Sequence, residues 1–311
     1  KDRVVVMGHK ITDVDALGAG IGIYRAGKTL GKPVHIVIND PTTSIRPLMA
    51  GYINNPDYEP SMFVDCAQAK DLVDNNTVVV VVDTNKPSYT ECQDLLYLTR
   101  TIVVLDHHKS AAEKLSGYQC QCGVVHFDMS KSGARLAWEF FQADKPVPGL
   151  IRYIEDRDIW KWEFPESAAF LAALDMEPVR SFERWAEIAA FTPEQEGVYM
   201  ARGGAMDEKF QKLCADIADG AQVLVFNGRQ GLMVNCPGMF HSQVGDLLAR
   251  QSGSFALMWH ANHKGTKVGL RSRSEFNCMV VGREEGKENL SMVGATYKMR
   301  LGDILWIVGE D

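Results

Sequence analysis

No apolar run in the chain approaches the ~20 residues that a bilayer-spanning helix needs, so no membrane association is expected. There is no low-complexity tract and no internal repeat. Basic charge is not in excess: 33 Lys and Arg stand against 40 Asp and Glu, giving a net charge of -7. Long nucleic acids need an extended basic track, so a duplex-coating surface is not expected, whereas a local pocket for a short anion stays open. Cysteine is sparse and odd in number, seven without regular spacing, which points to reduced thiols and a cytoplasmic location. Cys92, Cys120, Cys122 and His126 match no usual zinc spacing. The chain opens at Lys1 without a secretory leader or an initiator methionine, which leaves room for a segment upstream.

What remains is ordinary soluble-protein composition, 46% hydrophobic and 23% charged over 311 residues, long enough for two domains with separate cores. Residues 3–7, 34–38, 77–82, 101–105 and 123–127 read as short strands, rich in Val and Ile and bounded by Gly, Asp, Asn or Pro. Helix-like periodicity over 16–30 and 131–141 lies among them, and strands alternating with helices indicate an α/β domain with a mostly parallel sheet. From about residue 160 the pattern is helical over 167–174, 181–190 and 193–217. Thr192 and Gln195 form a capping-box signature for the last of these. Strands return at 221–226, 230–235, 255–260, 267–271 and 304–308, with a helix over 242–251 for which Ser242 reads as N-cap. The expected organisation is an α/β domain over 1–190 with a mostly parallel sheet flanked by helices, a helical linker over 191–220 and a smaller α/β domain over 221–311, with a cleft between the two domains.

The chemistry sits where apolar stretches stop. His9, Asp13 and Asp15 follow the first strand, Asp83 ends a five-valine run, and Asp106-His107-His108 ends the 101–105 strand. Asp156 and Asp158 close the apolar stretch of Leu150 to Ile154, read as a fourth such strand end. Carboxylates and imidazoles gathered at the carboxyl edge of a parallel sheet suit a pair of divalent ions. Mixed Asp and His donors favour Mn²⁺, Co²⁺ or Zn²⁺ over Mg²⁺. Asp83, isolated at a strand end, is placed to bridge two ions, and Asp106 to orient an adjacent imidazole. Each residue also has a plain reading: Asp13 or Asp15 as a helix cap, Asp83 as a loop cap, His107 as a loop residue. The concentration of four such endings in one domain favours the joint reading.

Gly8-His9-Lys10-Ile11-Thr12-Asp13-Val14-Asp15-Ala16-Leu17-Gly18, Val82-Asp83-Thr84-Asn85 and Asp106-His107-His108 resemble motifs of the DHH phosphoesterase superfamily. The first two look most like cyclic-di-AMP phosphodiesterases. Lys131-Ser132-Gly133-Ala134 and the Tyr153 to Trp160 segment look more like nanoRNases and oligoribonucleases. The resemblance implies a hydrolase with two Mn²⁺ ions that activate a bridging hydroxide. It implies His9, Asp13 and Asp83 on one ion, and Asp15, Asp83, His107 and Asp156 on the other, with Asp158 the alternative to Asp156. His108 would face the scissile phosphate.

Val268-Gly269-Leu270-Arg271-Ser272-Arg273 resembles the substrate-gripping strand of the DHH-associated C-terminal domain, which implies phosphate or base contacts from Arg271 and Arg273. His241, near a helix start, matches a region that lines the substrate pocket in the family. The family's glycine run and His after this strand are absent from residues 282–295. The expected substrates are oligonucleotides of a few residues or linear or cyclic dinucleotides. Pyrophosphate or polyphosphate hydrolysis and a catalytically reduced nucleotide sensor are the alternatives. A homodimer is compatible with the sequence. Trp160 and Trp162, beside Asp158, read as core residues at a domain edge, or as a stacking surface for a base.

Overall fold

A computed structural model describes residues 1–8, 13–37, 63–84, 92, 94–108, 123–177, 182–226, 228–262, 265–272 and 294–299. It divides into two compact units, Lys1–Met206 and Asp207–Asp311.

The first unit is built on a parallel sheet of β1 (Arg3–Met7), β2 (Val34–Val37), β3 (Phe63–Val64), β4 (Thr77–Val82), β5 (Thr101–Asp106) and β6 (Gly123–Phe127). The strand order is β3-β2-β1-β4-β5-β6, and every described pairing is parallel. The valine run of β4 shows why these residues form a central strand. Alternate side chains leave opposite faces of a strand, and both faces here are covered. Val80 and Val82, with Val6, Val103 and Leu105, pack toward α1 (Val14–Leu30), α4 (Gly133–Phe141) and α5 (Gly149–Asp158). Val79 and Val81, with Val5, Met7 and Val104, pack with the side of α2 (Cys66–Leu72) and α3 (Leu95–Leu98). The strand order reverses between β1 and β4, which is where parallel sheets open a crevice at their carboxyl ends.

Helix α1 begins with Asp13, whose carboxylate accepts from the N–H groups of Asp15 and Ala16 at 3.0 Å each, and ends at Gly31 in the left-handed conformation. A Cβ on Gly22 would meet the Trp138 backbone at 3.1 Å, so α1 and α4 approach closely. That approach brings the N-termini of the two helices together beneath the strand ends.

Helices α6 (Ser167–Asp175), α7 (Phe182–Ile188) and α8 (Pro193–Ala218) follow, and the stretch 150–154 expected as a strand lies inside α5. The capping box of α8 is present: Thr192 N–H donates to Gln195 Oε1 at 2.8 Å, and Gln195 N–H donates to Thr192 Oγ1 at 3.3 Å. The boundary between the units falls inside this 26-residue helix. Tyr199 and Met200 pack in the first core, and Phe210, Cys214 and Ile217 in the second.

The second unit holds a five-stranded sheet ordered β11-β10-β9-β8-β7. Its strands are β7 (Gln222–Phe226), β8 (Arg229–Asn235), β9 (Phe255–Asn262), β10 (Gly265–Ser272) and β11 (Gly294–Met299). Only β8 and β9 run parallel among the described pairs. Helix α9 (His241–Ser252) buries Val244 and Leu248 against it. Strands β3 and β11 lie outside the sequence reading, and residues 304–308 lie outside the described residues.

Ser242 is not the N-cap of α9. A 3₁₀ turn at Gly238–Phe240 runs directly into the helix, so Phe240 takes the cap position, and Ser242 Oγ accepts from Arg271 instead. The cysteines also depart from expectation: Cys66 and Cys92 form a disulfide with their Cα atoms 5.5 Å apart, while Cys214 and Cys236 are free and buried. Cys92 is thus engaged with Cys66, and Cys120 and Cys122 lie outside the described residues.

Candidate metal centre

Four elements place titratable side chains at one point. Asp83, the first residue past β4, has φ 50°, and its N–H still donates to the Leu105 carbonyl at 3.0 Å. Asp tolerates this left-handed conformation better than most residues, and the turn carries the chain out of the sheet. At the end of β5, the fully buried Asp106 accepts through Oδ1 from the N–H groups of His107 (2.7 Å) and His108 (3.1 Å), and from Nδ1 of His108 (2.8 Å). One carboxylate oxygen thereby fixes the backbone and one ring of the Asp-His-His segment. His107 points its Nε2 at Asp83 Oδ1 (3.2 Å), Asp158 Oδ2 (3.5 Å) and Asp15 Oδ2 (3.8 Å). His108 Nδ1 stands 3.7 Å from Asp83 Oδ1.

Asp15 lies in the first turn of α1 and is buried. Its carboxylate accepts from the backbone N–H groups of Gly133 (2.6 Å) and Ala134 (2.9 Å), at the start of α4. Ser132 caps α4 by accepting from Arg135 N–H at 3.2 Å. A helix N-terminus favours a carboxylate through its open N–H groups and dipole. Gly133 was not singled out as a site residue from the sequence. Its signal is the Ser-Gly pair at a helix start, since a Cβ there would lie 2.8 Å from Asp15 Oδ2 and 3.0 Å from Asp83 Cβ.

Asp158, the last residue of α5, completes the group with a side chain 24% exposed. Asp156 does not join it, which corrects the primary assignment from sequence. Its Oδ1 accepts from Glu163 N–H (2.7 Å), and its Oδ2 accepts from Phe164 N–H (3.1 Å) and Ser167 Oγ (2.6 Å). Two residues apart on a helix are separated by about 200°, so the two carboxylates leave in different directions. His9 lies outside the described residues. Asp13 stands at the N-cap of α1, close enough for its charge to raise Asp15 and Asp158.

The electrostatics follow from the crowding. Burial, then the charge of Asp83, raises Asp15 to about 7. Burial and the charges of Asp15 and Asp83 also raise Asp158 well above the ordinary carboxylate range. Burial pulls His107 down, but the Asp83 hydrogen bond and the Asp158, Asp83 and Asp15 charges outweigh it and lift the ring to about 10. His108 is also raised, since the Asp106 hydrogen bond and the Asp83 charge outweigh its burial. One set of donor atoms from Asp15, His107 and Asp158, and another from Asp83, Asp106, His107 and His108, fall within 4.8 Å of one another. Three carboxylates packed around an imidazole form a donor set that a divalent cation satisfies.

The second unit gathers a different group. Arg271 Nη1 donates to its neighbour's carbonyl, that of Leu270, at 2.9 Å, and Nη2 donates to Ser242 Oγ at 3.3 Å. His241 is buried at the start of α9, with Nε2 3.1 Å from the Cys236 carbonyl and 3.2 Å from His260 Nδ1. Burial lowers its pKa to about 4, and the charges of His260 and Arg271 add to the effect. Arg273 lies outside the described residues.

The parallel sheet thus gathers acidic and imidazole side chains at the carboxyl ends of its strands. The chain matches the DHH family, N-terminal domain, over residues 3–162, and it belongs to the DHH phosphoesterase superfamily. It is 36% identical over 113 residues to the cyclic-di-AMP phosphodiesterase GdpP of Bacillus subtilis, covering 36% of this chain and 17% of that protein. It is 30% identical over 115 residues to the cyclic-di-AMP phosphodiesterase PdeA of Listeria monocytogenes, covering 36% of this chain and 17% of that one. The chain spans only 17 to 28% of the length of such curated relatives. The fold is shared with an exopolyphosphatase-related protein from Bacteroides fragilis, at TM-score 0.58 and 13% identity over 98% of this chain and 90% of that one. It is also shared with Thermus thermophilus RecJ in complex with Mn²⁺, at TM-score 0.55 and 12% identity over 98% of this chain and 51% of RecJ.

Proposed function

We propose that the protein is a metal-dependent phosphodiesterase acting on short nucleotides, either oligonucleotides of a few residues or linear or cyclic dinucleotides. One observation carries the reading: Asp15, Asp83 and Asp158 converge from three elements on the Nε2 of His107, at 3.8, 3.2 and 3.5 Å. Asp15, Asp83, His107 and Asp158 would hold the metal, with Asp13 and His9 supplying further donors from the segment before α1. Two Mn²⁺ ions suit this mixture of carboxylate and imidazole, and Co²⁺, Zn²⁺ or Mg²⁺ are the substitutes to test. Such ions supply concentrated positive charge for a phosphoryl group and make water nucleophilic near neutral pH.

The chain's own residues do the rest. Asp106 holds His108 by Nδ1, so the ring in its protonated form would donate from Nε2 toward a phosphate oxygen. Gly133 and Ala134 donate to Asp15, which favours its ionised form against the burial that raises it. Arg271, Arg273 and His241 would contact the phosphate or base of a bound nucleotide, since an Arg fork matches phosphate geometry. The relatives named for cyclic-di-AMP hydrolysis support a dinucleotide within the substrate range. A second reading, hydrolysis of polyphosphate or pyrophosphate, draws on the fold shared with the exopolyphosphatase-related protein. A cytoplasmic location rests on the nucleotide substrate class, since the Cys66–Cys92 pairing removes the argument from cysteine number. No helix among the described residues is long and apolar enough to cross a membrane.

The test is a hydrolysis panel with added Mn²⁺: a dinucleotide, a tetranucleotide, cyclic-di-AMP, 3′-phosphoadenosine 5′-phosphate and polyphosphate, with Asp83→Asn as control. Asn keeps the left-handed backbone and removes the charge. Cleavage of a nucleotide, abolished in the variant, is the expected result. The loss should exceed the ~10–100-fold that removing a ligand's hydrogen-bond partner costs. Cleavage of polyphosphate alone would replace this reading with the second one.

A further inference from the structure

We propose that Trp160 and Trp162 form a subsite for a nucleobase of the substrate, an inference that rests on the phosphodiesterase reading and narrows it to ring-bearing substrates. Among the described residues, three that are not glycine have positive φ: Asp83 at 50°, Trp160 at 58° and Trp162 at 54°. Bulky side chains rarely adopt that region, and residues held there cluster at functional sites because the surroundings must enforce them. Here two of the three follow Asp158 by two and four residues, and the third is Asp83. Backbone strain is therefore concentrated on two segments that border the same cluster.

The restraint on the tryptophans is Asp156. Its carbonyl accepts from Lys161 N–H at 3.0 Å and Trp162 N–H at 3.3 Å, while its carboxylate accepts from Glu163, Phe164 and Ser167. The turn is tied on its other side by Lys161 Nζ, which donates to the Ser130 carbonyl at 3.3 Å. Ser130 lies just before α4, whose first N–H groups hold Asp15. The tryptophan turn is thus tied to the segment that leads into α4. Two residues of chain reach at most about 7 Å, so Trp160 lies within one nucleotide's length of the Asp158 backbone.

The pair has the character of a binding surface. The two indoles meet edge to face, with centroids 5.3 Å apart and planes at 81°, and both residues are half-buried. The Trp160 indole N–H is buried without a hydrogen-bond partner among the described residues, a condition it shares with the core residue Trp185 and with Trp259. What sets Trp160 and Trp162 apart is their strained turn, a poor way to fill a core and a workable way to hold an aromatic face beside a reactive centre. Any base can stack on such a face, whereas a polyphosphate chain has no ring to offer it.

The experiment compares wild type with Trp160→Leu, Trp162→Leu and the conservative Trp160→Phe and Trp162→Phe, each first checked for metal content and melting temperature. The substrates are a diadenosine nucleotide, the same phosphodiester lacking bases, and inorganic polyphosphate. The expected result is a KM for the dinucleotide raised by about 5- to 150-fold in the Leu variants, the range for loss of one stacked base. kcat should stay within about twofold, the Phe variants should recover most of the affinity, and the abasic diester should respond equally to all forms. As a check independent of the variants, the dinucleotide should quench wild-type tryptophan fluorescence and polyphosphate should not. Unchanged KM in Leu variants with native metal content, or equal loss on the abasic diester, would overturn the subsite. Wild-type cleavage of polyphosphate alone would overturn the phosphodiesterase reading itself, and the subsite with it.

Discussion

The backbone N–H of Gly133 donates to the Asp15 carboxylate at 2.6 Å, joining two helix starts 118 residues apart in the chain. The contact exists because residue 133 has no side chain, as a Cβ there would press on Asp15 Oδ2. Gly133→Ala should therefore displace Asp15 while leaving α4 intact, since Ala favours a helix. Isothermal titration with Mn²⁺ should show affinity reduced by about 10-fold or more. Far-ultraviolet circular dichroism should be unchanged.

Asp156→Ala and Asp158→Ala should fail in opposite ways. The first strips two backbone N–H groups and the Ser167 hydroxyl of their acceptor. It should cost about 3 kcal/mol, or a melting temperature lowered by roughly 5–10 °C. The second removes a like charge from beside Asp15 and Asp83. It should preserve or raise stability without metal, while metal content and turnover collapse. Parallel melting curves and metal analysis separate the two. Equal destabilisation by both would contradict the roles read from the geometry.

Metal should stabilise the wild-type protein measurably. A ligand that binds only the native state adds about 2.7 kcal/mol at 100 times its dissociation constant. The metal-free cluster is also strained by its own carboxylates. Calorimetric scans should show the melting temperature rising with Mn²⁺ and falling back on chelation, with no such response in Asp83→Asn.

His241 sets an acid limit on the second unit. Its folded pKa is depressed from 6.5 to about 4 by burial. Between those values the unfolded chain binds the extra proton, so stability from this group is complete above about 6.5 and is lost as pH falls toward 4. The loss amounts to about 3 kcal/mol at most. His241→Gln should flatten that part of the stability profile in urea titrations between pH 7 and 4. An unaltered slope would show that the ring is not the titrating group.

Much of the fold was legible because the signal was local. The valine run at 78–82 announced a strand buried on both faces, and Thr192 with Gln195 marked the start of a helix that forms there. The strand ends at Asp83 and Asp106–His108 pointed to the candidate cluster for the same reason: a parallel sheet delivers its carboxyl ends to one edge. What stayed hidden depended on partners distant in sequence. Nothing local distinguishes Asp156 from Asp158, because the choice is made by Glu163, Phe164 and Ser167 claiming one carboxylate. The stretch Leu150 to Ile154 read as a strand because a short apolar run fits either period, and its helical packing against α4 and α6 decided otherwise. Ser242 looked like a cap until the preceding 3₁₀ turn displaced it, and the partner of Cys66 lies 26 residues away.

The order in which the cluster's members occur along the chain has a consequence for biosynthesis. Asp15 emerges early, Asp83 and His107 follow, and Asp158 arrives only at the end of α5, after Gly133 and Ala134 have supplied the N–H groups that seat Asp15. At typical elongation rates of about 5–20 residues per second, the growing polypeptide exposes its first acidic residues for several seconds before the set is complete. A nascent chain at that stage has no geometry with which to choose one cation over another. Ion selection belongs to the finished domain, so a cation would be chosen by the folded cluster after translation and not during it.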